Sequence, residues 1–421
     1  MSQRTYHDPL HRGIGLDRQA PAEGMVMDLV DTGPFQRLRR IRQLGPAYLT
    51  FHSAESSRFT HSLGVFHLAR RAFERMLPLA PELETYRGLL YGAALLHDIG
   101  HGPLSHTGEE MFGLRHEAWS ARVIRHHPEI HDCLESHASG TAEAVANLLE
   151  HGRSPHPLIK HLVSSQLDCD RLDYLLRDSY STGTRYGQLD LDRILGALTL
   201  APDGDMAIHP KGLMAVEHYL VVRNLMYRSV YNHRLNVVCN WLLEKLILTA
   251  RQLGPEQVWA DEVMANWLWQ PDQIRLEDFL ANDDQRTGYH LQRWQAEAPA
   301  ALAELSGRFL DRRLLKATAV EHLSPADQLQ LLATARRLAD RHGHDPELCC
   351  GLRHQQLRGY HPYRGGLRLW DGQQLQALEK ASPLVESLAT PAATSWLIHP
   401  RDISNELRQE MDVEWPRAAA A

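Results

Sequence analysis

The chain has 421 residues, 43% of them hydrophobic and 23% charged, the composition of a globular protein long enough for one large or two ordinary domains. Its net charge of −7 argues against non-specific nucleic-acid binding as the main task, because neutralising phosphates needs a basic surface. No apolar run is long enough to span a bilayer, and Met1-Ser2-Gln3-Arg4 leads into Tyr6-His7-Asp8-Pro9 without the apolar stretch of a signal peptide.

In chain order, the opening to about residue 30 reads as loop and strand, punctuated by Pro9, Gly13, Gly15, Pro21 and Gly24. A helix is predicted from Gly33-Pro34, since proline suits a first helical turn and Phe35, Leu38 and Ile41 recur at helical spacing. Further helices are expected near 62–77, 84–97, 116–127, 141–150, 157–179 and 213–250. Leu198-Thr199-Leu200 and Met206-Ala207-Ile208 flank Pro202-Asp203-Gly204, which predicts a small β-hairpin with an Asp-Gly turn. Composition changes near Gly254-Pro255, so the chain divides into 1–250 and a mostly helical C-terminal subdomain over 251–421. That subdomain carries irregular breaks, with short strands expected around Gly365-Gly366 and Trp370-Asp371-Gly372 and a frayed end from Arg417 to Ala421. The fold class is therefore mainly α. Cys133, Cys169, Cys239, Cys349 and Cys350 are scattered without metal-ligand spacing and read as reduced thiols, which places the chain in the cytoplasm.

Chemistry concentrates where the apolar run Leu89-Leu90-Tyr91-Gly92-Ala93-Ala94-Leu95-Leu96 ends in His97-Asp98-Ile99-Gly100-His101-Gly102. An imidazole beside a carboxylate is a mixed ligand pair for a divalent metal, and the glycines let another group approach closely. The dipeptide alone is weak, because the chain has 26 histidines and also contains His7-Asp8, His131-Asp132 and His344-Asp345. Its setting singles it out: His101, His106, Glu109, His116 and Glu117 follow within a short stretch. Further ligands must come from elsewhere. Arg58-Phe59-Thr60-His61 places His61 at a helix start, and Asp168 to Asp178 puts Asp170, Asp173/Tyr174 and Arg177/Asp178 on one helix face.

The ordered set His61, His97-Asp98, Asp170 resembles the signature of the HD superfamily of metal-dependent phosphohydrolases. Asp8-Pro9-Leu10-His11, Asp31-Thr32-Gly33-Pro34-Phe35-Gln36-Arg37-Leu38-Arg39, Gln43-Leu44-Gly45, Arg58 to Gly64, His97 to His106 and Asp168 to Asp178 are similar to the deoxynucleoside triphosphate triphosphohydrolases, over roughly residues 5–240. The resemblance implies a helical HD-domain core with an N-terminal regulatory segment. It implies His61, His97, Asp98 and Asp170 as ligands of a divalent metal (Mn, Fe, Co, Ni, Zn or Mg). The implied reaction is hydrolysis of a dNTP at the α-phosphorus to a deoxynucleoside and inorganic triphosphate. The 5′-oxygen leaving group needs a proton; His106 is the candidate general acid, His101 stands near the phosphates, Glu109 or Glu117 orients a histidine, and His116 supports them.

By the same resemblance, Arg58, Arg171 and Arg223 contact the triphosphate. Gln43, Tyr174 and Asp178 meet the 3′-hydroxyl, and Leu44 and Tyr231 wall off C2′. Asn232 replaces a glutamine of the mammalian pattern, which leaves base choice open. Asp31, Gln36 and Arg39 resemble residues that bind an activating nucleotide (GTP or a dNTP) between subunits, which implies a homo-oligomer, dimer or tetramer. His7 and Gly13 depart from the mammalian pattern there. No membrane partner is expected, and nucleic acid is not expected either. Two other readings compete: a different HD phosphohydrolase (nucleotidase or phosphodiesterase), which product analysis separates, and a nucleotide-sensing or single-strand nucleic-acid-binding protein with a dormant metal site, against which the intact ligand set counts.

Overall fold

Residues Gln3–Asp8 (β1) and Arg12–Asp17 (β2) form an antiparallel ribbon, in register from Gln3 opposite Asp17 to Asp8 opposite Arg12. In this computed structural model, which describes residues 2–357, 360, 366–390 and 392–414, the turn is closed by Asp8. Its Oδ1 accepts from the N–H groups of Leu10 and His11, both at 2.9 Å, the local bond that makes aspartate a turn residue.

A helix over Pro21–Asp31 (α1) follows where the sequence reading expects loop and strand. The correction has a physical reason. Pro21 stands in the first turn, where its missing N–H costs nothing, and Met25, Val26, Leu29 and Val30 make a buried face. Gly33–Arg37 (α2) is capped by Thr32, whose Oγ1 accepts from Phe35 N–H.

The helices that follow are Arg58–Met76 (α3), Arg87–Leu96 (α4), His106–Phe112 (α5), His116–His126 (α6), Pro128–His137 (α7) and Thr141–His151 (α8). Every residue from Gly88 to Leu96 is buried, so α4 is apolar all round and sits centrally, packed by α1, α3 and α8. The expected helix over 157–179 is two: Pro157–Val163 (α9) and Cys169–Thr182 (α10). Asp168 breaks the run by capping α10, its Oδ1 accepting from Arg171 N–H at 2.8 Å. Leu191–Ala197 (α11) leads to the expected hairpin, Leu198–Leu200 (β3) against Met206–Ile208 (β4). The hairpin is extended by Arg368–Trp370, parallel to β4, and Leu375–Ala377. Gly365 and the segment from Arg417 lie outside the described residues.

The expected helix over 213–250 is also interrupted. Leu213–Met226 (α12) gives way to a π-turn over Tyr227–Tyr231, and a new helix, Arg234–Leu253, starts at His233, whose ring accepts from Leu235 N–H.

Two compact units interleave along the chain. The first comprises Met1–Met226, Asp261–Gly288 and Gly359–Thr390; the second comprises Tyr227–Ala260, Tyr289–Arg358 and Pro391–Ala421. The boundary read near Gly254 falls inside the Tyr227–Ala260 segment of the second unit. The second unit holds a three-stranded antiparallel sheet that the sequence reading does not place, with Ala392–His399 between Lys316–Ala319 and Gly351–Leu357. Val320, Leu331, Leu338, Leu397, Ile403 and Leu407 form a core there. Among the described residues no helix is long and apolar enough to cross a membrane, and all five cysteines are unpaired.

Candidate active site

Three helices of the first unit bring the metal-ligand candidates together. His61 lies one turn into α3, His97 and Asp98 follow the C-terminus of α4, and Asp170 lies in the first turn of α10. His61, His97 and Asp170 each offer a ligand atom within 4.8 Å of the others. His97 Nε2 lies 3.3 Å from His61 Nε2 and 3.7 Å from Asp170 Oδ1, and His61 Nε2 lies 3.0 Å from Asp170 Oδ1. Asp98 borders the same space, with Oδ1 3.4 Å from His97 Nε2 and Oδ2 3.6 Å from His61 Nε2.

The far side of each imidazole decides what the near side can do. His97 Nδ1 lies 3.0 Å from the Ala94 carbonyl, which can only accept, so Nδ1 carries the proton and Nε2 presents its lone pair. His61 Nδ1 donates in the same way to Asp173 Oδ2 at 2.8 Å. Ligating histidines are oriented by such partners. Burial opposes a charge on His61, but Asp170, Asp173 and Asp98 outweigh it and raise its pKa to about 10. Positive charge is thus drawn to Nε2, where a divalent cation would supply it directly. Two imidazole nitrogens with carboxylate oxygens are a donor set suited to such a cation, and the group is able to hold one.

Asp173, to which the sequence reading gives no role, is the centre of a buried network. Its carboxylate accepts from His61, from His11 Nε2 at 2.6 Å, and from Arg177 Nε at 2.7 Å and Nη2 at 3.0 Å. Arg177 Nη1 in turn donates to Asp8 Oδ2 at 2.8 Å. Burial would raise the Asp173 carboxyl, but Arg177, His11 and His61 hold it well below the usual carboxylate range. Gly64 makes room for it: a Cβ there would stand 1.9 Å from Asp173 Oδ1. The available signal was the spacing of Asp173 and Arg177 on one helix face.

A second cluster flanks the first. His116 Nδ1 and His106 Nδ1 lie 2.7 and 2.9 Å from Glu109 Oε1, and His101 Nδ1 lies 3.4 Å from it. The His101 and His116 rings stack at 4.0 Å. His101 is fully buried, and its Nε2 lies 3.3 Å from Asp98 Oδ1. Burial, Arg58 and His116 push its pKa well below the usual value, so it is held neutral. His106 is 69% exposed. Glu117 lies at the edge, 3.7 Å from His116 Nδ1.

The cationic candidates are pinned differently. Arg58 is buried, donating from Nη1 to Asp98 Oδ2 at 2.5 Å and from Nε to Ser105 Oγ at 2.8 Å. Arg171 pairs with Asp168, and Arg223 Nη1 donates to Gln166 Oε1 at 2.9 Å. Gln43 is buried, with Oε1 lacking a hydrogen-bond partner among the described residues. Leu44 is half-buried beside it, as is Tyr174 on α10, where Asp178 is buried. Tyr231 and Asn232 belong to the second unit, where Asn232 N–H donates to Tyr227 O at 2.9 Å. At the junction of α1 and α2, Asp31 accepts from Arg4 at 2.8 Å, and Gln36 Oε1 accepts from Arg39 Nε at 2.8 Å. The Arg39 guanidinium lies 3.5 Å over the Phe59 ring.

Comparison with known proteins agrees with this geometry. A family profile described as HD domain matches residues 58–178, and one described as HD associated region matches residues 189–399. Protein YwfO of Bacillus subtilis is 33% identical over 95% of this chain and 93% of its own length. The deoxynucleoside triphosphate triphosphohydrolase SAMHD1 homolog of Dictyostelium discoideum is 30% identical over 54% of this chain, and the match spans only 46% of that protein. A crystal structure of a phosphohydrolase from Bacteroides thetaiotaomicron superposes with a TM-score of 0.83 at 25% identity, covering 95% of this chain and all of the other. With its metal-capable His/Asp group, its phosphohydrolase fold and both matched regions in order, the chain belongs to the HD-domain family, as an HD domain followed by an HD-associated region.

Proposed function

We propose that the chain is a metal-dependent deoxynucleoside triphosphate triphosphohydrolase. The observation that carries the metal-dependent part is the convergence of His61 Nε2 and His97 Nε2 on Asp170 Oδ1, with both Nδ1 atoms hydrogen-bonded elsewhere. The 30% identity to the Dictyostelium enzyme supports the choice of substrate. A divalent cation held by His61, His97, Asp98 and Asp170 would polarise a phosphoryl oxygen and lower the pKa of water toward about 7.

The reaction is addition of water at the α-phosphorus with cleavage of the bond to the 5′-oxygen. That oxygen leaves as an alcohol and takes a proton from His106, whose Nδ1 is oriented by Glu109. Neutral, buried His101 faces the phosphates, and His116 shares the Glu109 carboxylate. Arg171 and Arg223 take the phosphate charge, with Arg58 steadying Asp98. Gln43, Tyr174 and Asp178 receive the 3′-hydroxyl, and Leu44 stands against C2′ to exclude a 2′-hydroxyl. Asp31, Gln36 and Arg39 form the site for an activating nucleotide in a cytoplasmic homo-oligomer.

A panel of each dNTP and rNTP, alone and in pairs, with Mn²⁺ or Mg²⁺, tests this reading when triphosphate is read directly. Triphosphate and deoxynucleoside are expected in equal amounts. Ribonucleotides are expected to react about 10²-fold more slowly, the limit for an apolar wall rejecting one hydroxyl. Orthophosphate or pyrophosphate without triphosphate, from every dNTP, would point to another HD phosphohydrolase.

A further inference from the structure

The turn that carries the site histidines is strained. Leu104 and Ser105 are consecutive non-glycine residues at positive φ, 61° and 57°, and Ser105 combines its φ with ψ −132°, a combination almost confined to glycine. Such residues are costly and persist only where their surroundings over-determine them. The strain aims the chain so that α5 begins at His106.

The restraint comes from far along the sequence. We infer that Asp284, on the segment Asp261–Gly288, is a positioning residue for the catalytic turn and for the substrate wall at once. Its Oδ1 accepts from Leu104 N–H at 2.7 Å, and its Oδ2 accepts from Arg42 N–H at 3.0 Å. Arg42 precedes Gln43 and Leu44, so one buried carboxylate ties the strand of chain that meets the sugar to the turn that presents His106. Ser105 Oγ closes the loop by donating to the Arg42 carbonyl at 2.6 Å. Three neighbours complete the clamp. The buried Arg37 donates to the Asn282 carbonyl from Nε and Nη2 and to the His101 carbonyl from Nη1 at 2.8 Å. Phe279 stacks on Trp119 of α6 at 3.8 Å, and Trp267 fills the space beside Gly102, where a Cβ would meet it at 2.9 Å.

None of these contacts is made by His61, His97, Asp98 or Asp170 themselves, and the one link to a ligand runs from Ser105 Oγ through Arg58 to Asp98, so metal content is read separately from turnover. Misplacing a reacting group by about 1 Å costs about 10²-fold in rate. This inference rests on the proposed reaction for its kinetic arm only.

The test compares Asp284→Ala and Asp284→Asn with the wild-type protein by metal content, kcat/KM for a dNTP and amide hydrogen exchange at Leu104 and Ser105. Asp284→Ala is expected to keep its metal, to lose about 10²-fold in kcat/KM, and to exchange the Leu104 amide faster than wild type. Asp284→Asn, which retains one acceptor oxygen, is expected to fall between the two and decides the matter should the alanine variant not fold. Unchanged kcat/KM per metal-loaded molecule with a protected Leu104 amide overturns the inference. Should the wild-type protein cleave no dNTP, the exchange and metal arms still judge the clamp, and the substrate reading alone fails.

Discussion

Replacing Asp173 by asparagine is expected to weaken metal binding by about 10- to 100-fold, the usual effect of removing the partner that orients a ligating histidine, although Asp173 itself touches no metal position. The substitution leaves His61 in place but removes the charge that fixes its Nδ1–H. It also takes one of two carboxylates from Arg177, whose side chain is 3% exposed and which keeps its bond to Asp8. Breaking a buried ion pair from one side costs about 3–5 kcal/mol when nothing else pairs the remaining charge, so with Asp8 still in place a smaller fall in unfolding free energy is expected by urea titration. The pH dependence follows from the direction of the shift. Arg177, His11 and His61 hold the folded Asp173 well below an ordinary carboxylate against the opposing effect of burial. Its contribution is therefore present above the unfolded pKa of about 3.9 and lost as pH falls through the folded value. The stability gap between wild type and Asp173→Asn should be full at pH 7 and close only in acid. Metal affinity equal to wild type would show that His61 needs no such partner.

Replacing His97 by alanine should have the larger effect on turnover and a smaller one on stability. His97 is half-buried, and its Nδ1 bond is to the carbonyl of Ala94 on its own helix, so its loss leaves no buried charge unpaired. Its Nε2, by contrast, faces His61 and Asp170. A fall in kcat on the order of 10³-fold is expected from losing a ligand of the group that stabilises the transition-state charge. Circular dichroism and the urea midpoint should stay close to wild type. A variant that unfolds, or one that turns over normally, is inconsistent with a metal-ligand role.

The ligand candidates could be read from the sequence because local rules mark them. An apolar helix ending in His97-Asp98 announces a buried terminus bearing donor atoms, and His61 and Asp170 each open a recognisable helix. Asp173 was hidden in the charged face Asp168 to Asp178, and its partner His11 lies 162 positions away. No spacing rule connects Asp284 to Leu104, 180 positions earlier. The fold errors are of the same kind. Helix α1 was masked by Pro21 and Gly24, residues that break helices in the interior but not in the first turn. The long runs over 157–179 and 213–250 were read as single helices because apolar periodicity continues across the breaks. Asp168, the cap that starts α10, is a helix-start signal in the sequence, whereas His233, which caps the helix over Arg234–Leu253, is not one of the usual capping residues. The sheet of the second unit pairs strands from three separate segments, and Lys316–Ala319 alone carries no alternation strong enough to announce one.

On the proposed function, His61, His97, Asp98 and Asp170 hold a divalent cation on which phosphohydrolysis depends. The most direct measurement is elemental analysis of the purified protein beside its turnover, for wild type and for Asp98→Ala, before and after chelation and metal add-back. Wild type is expected to retain a divalent metal and to lose activity on chelation and regain it on add-back, and Asp98→Ala is expected to be deficient in both. A protein that turns over unchanged with the site empty, or an Asp98→Ala variant with wild-type metal content and activity, would contradict that ligand assignment.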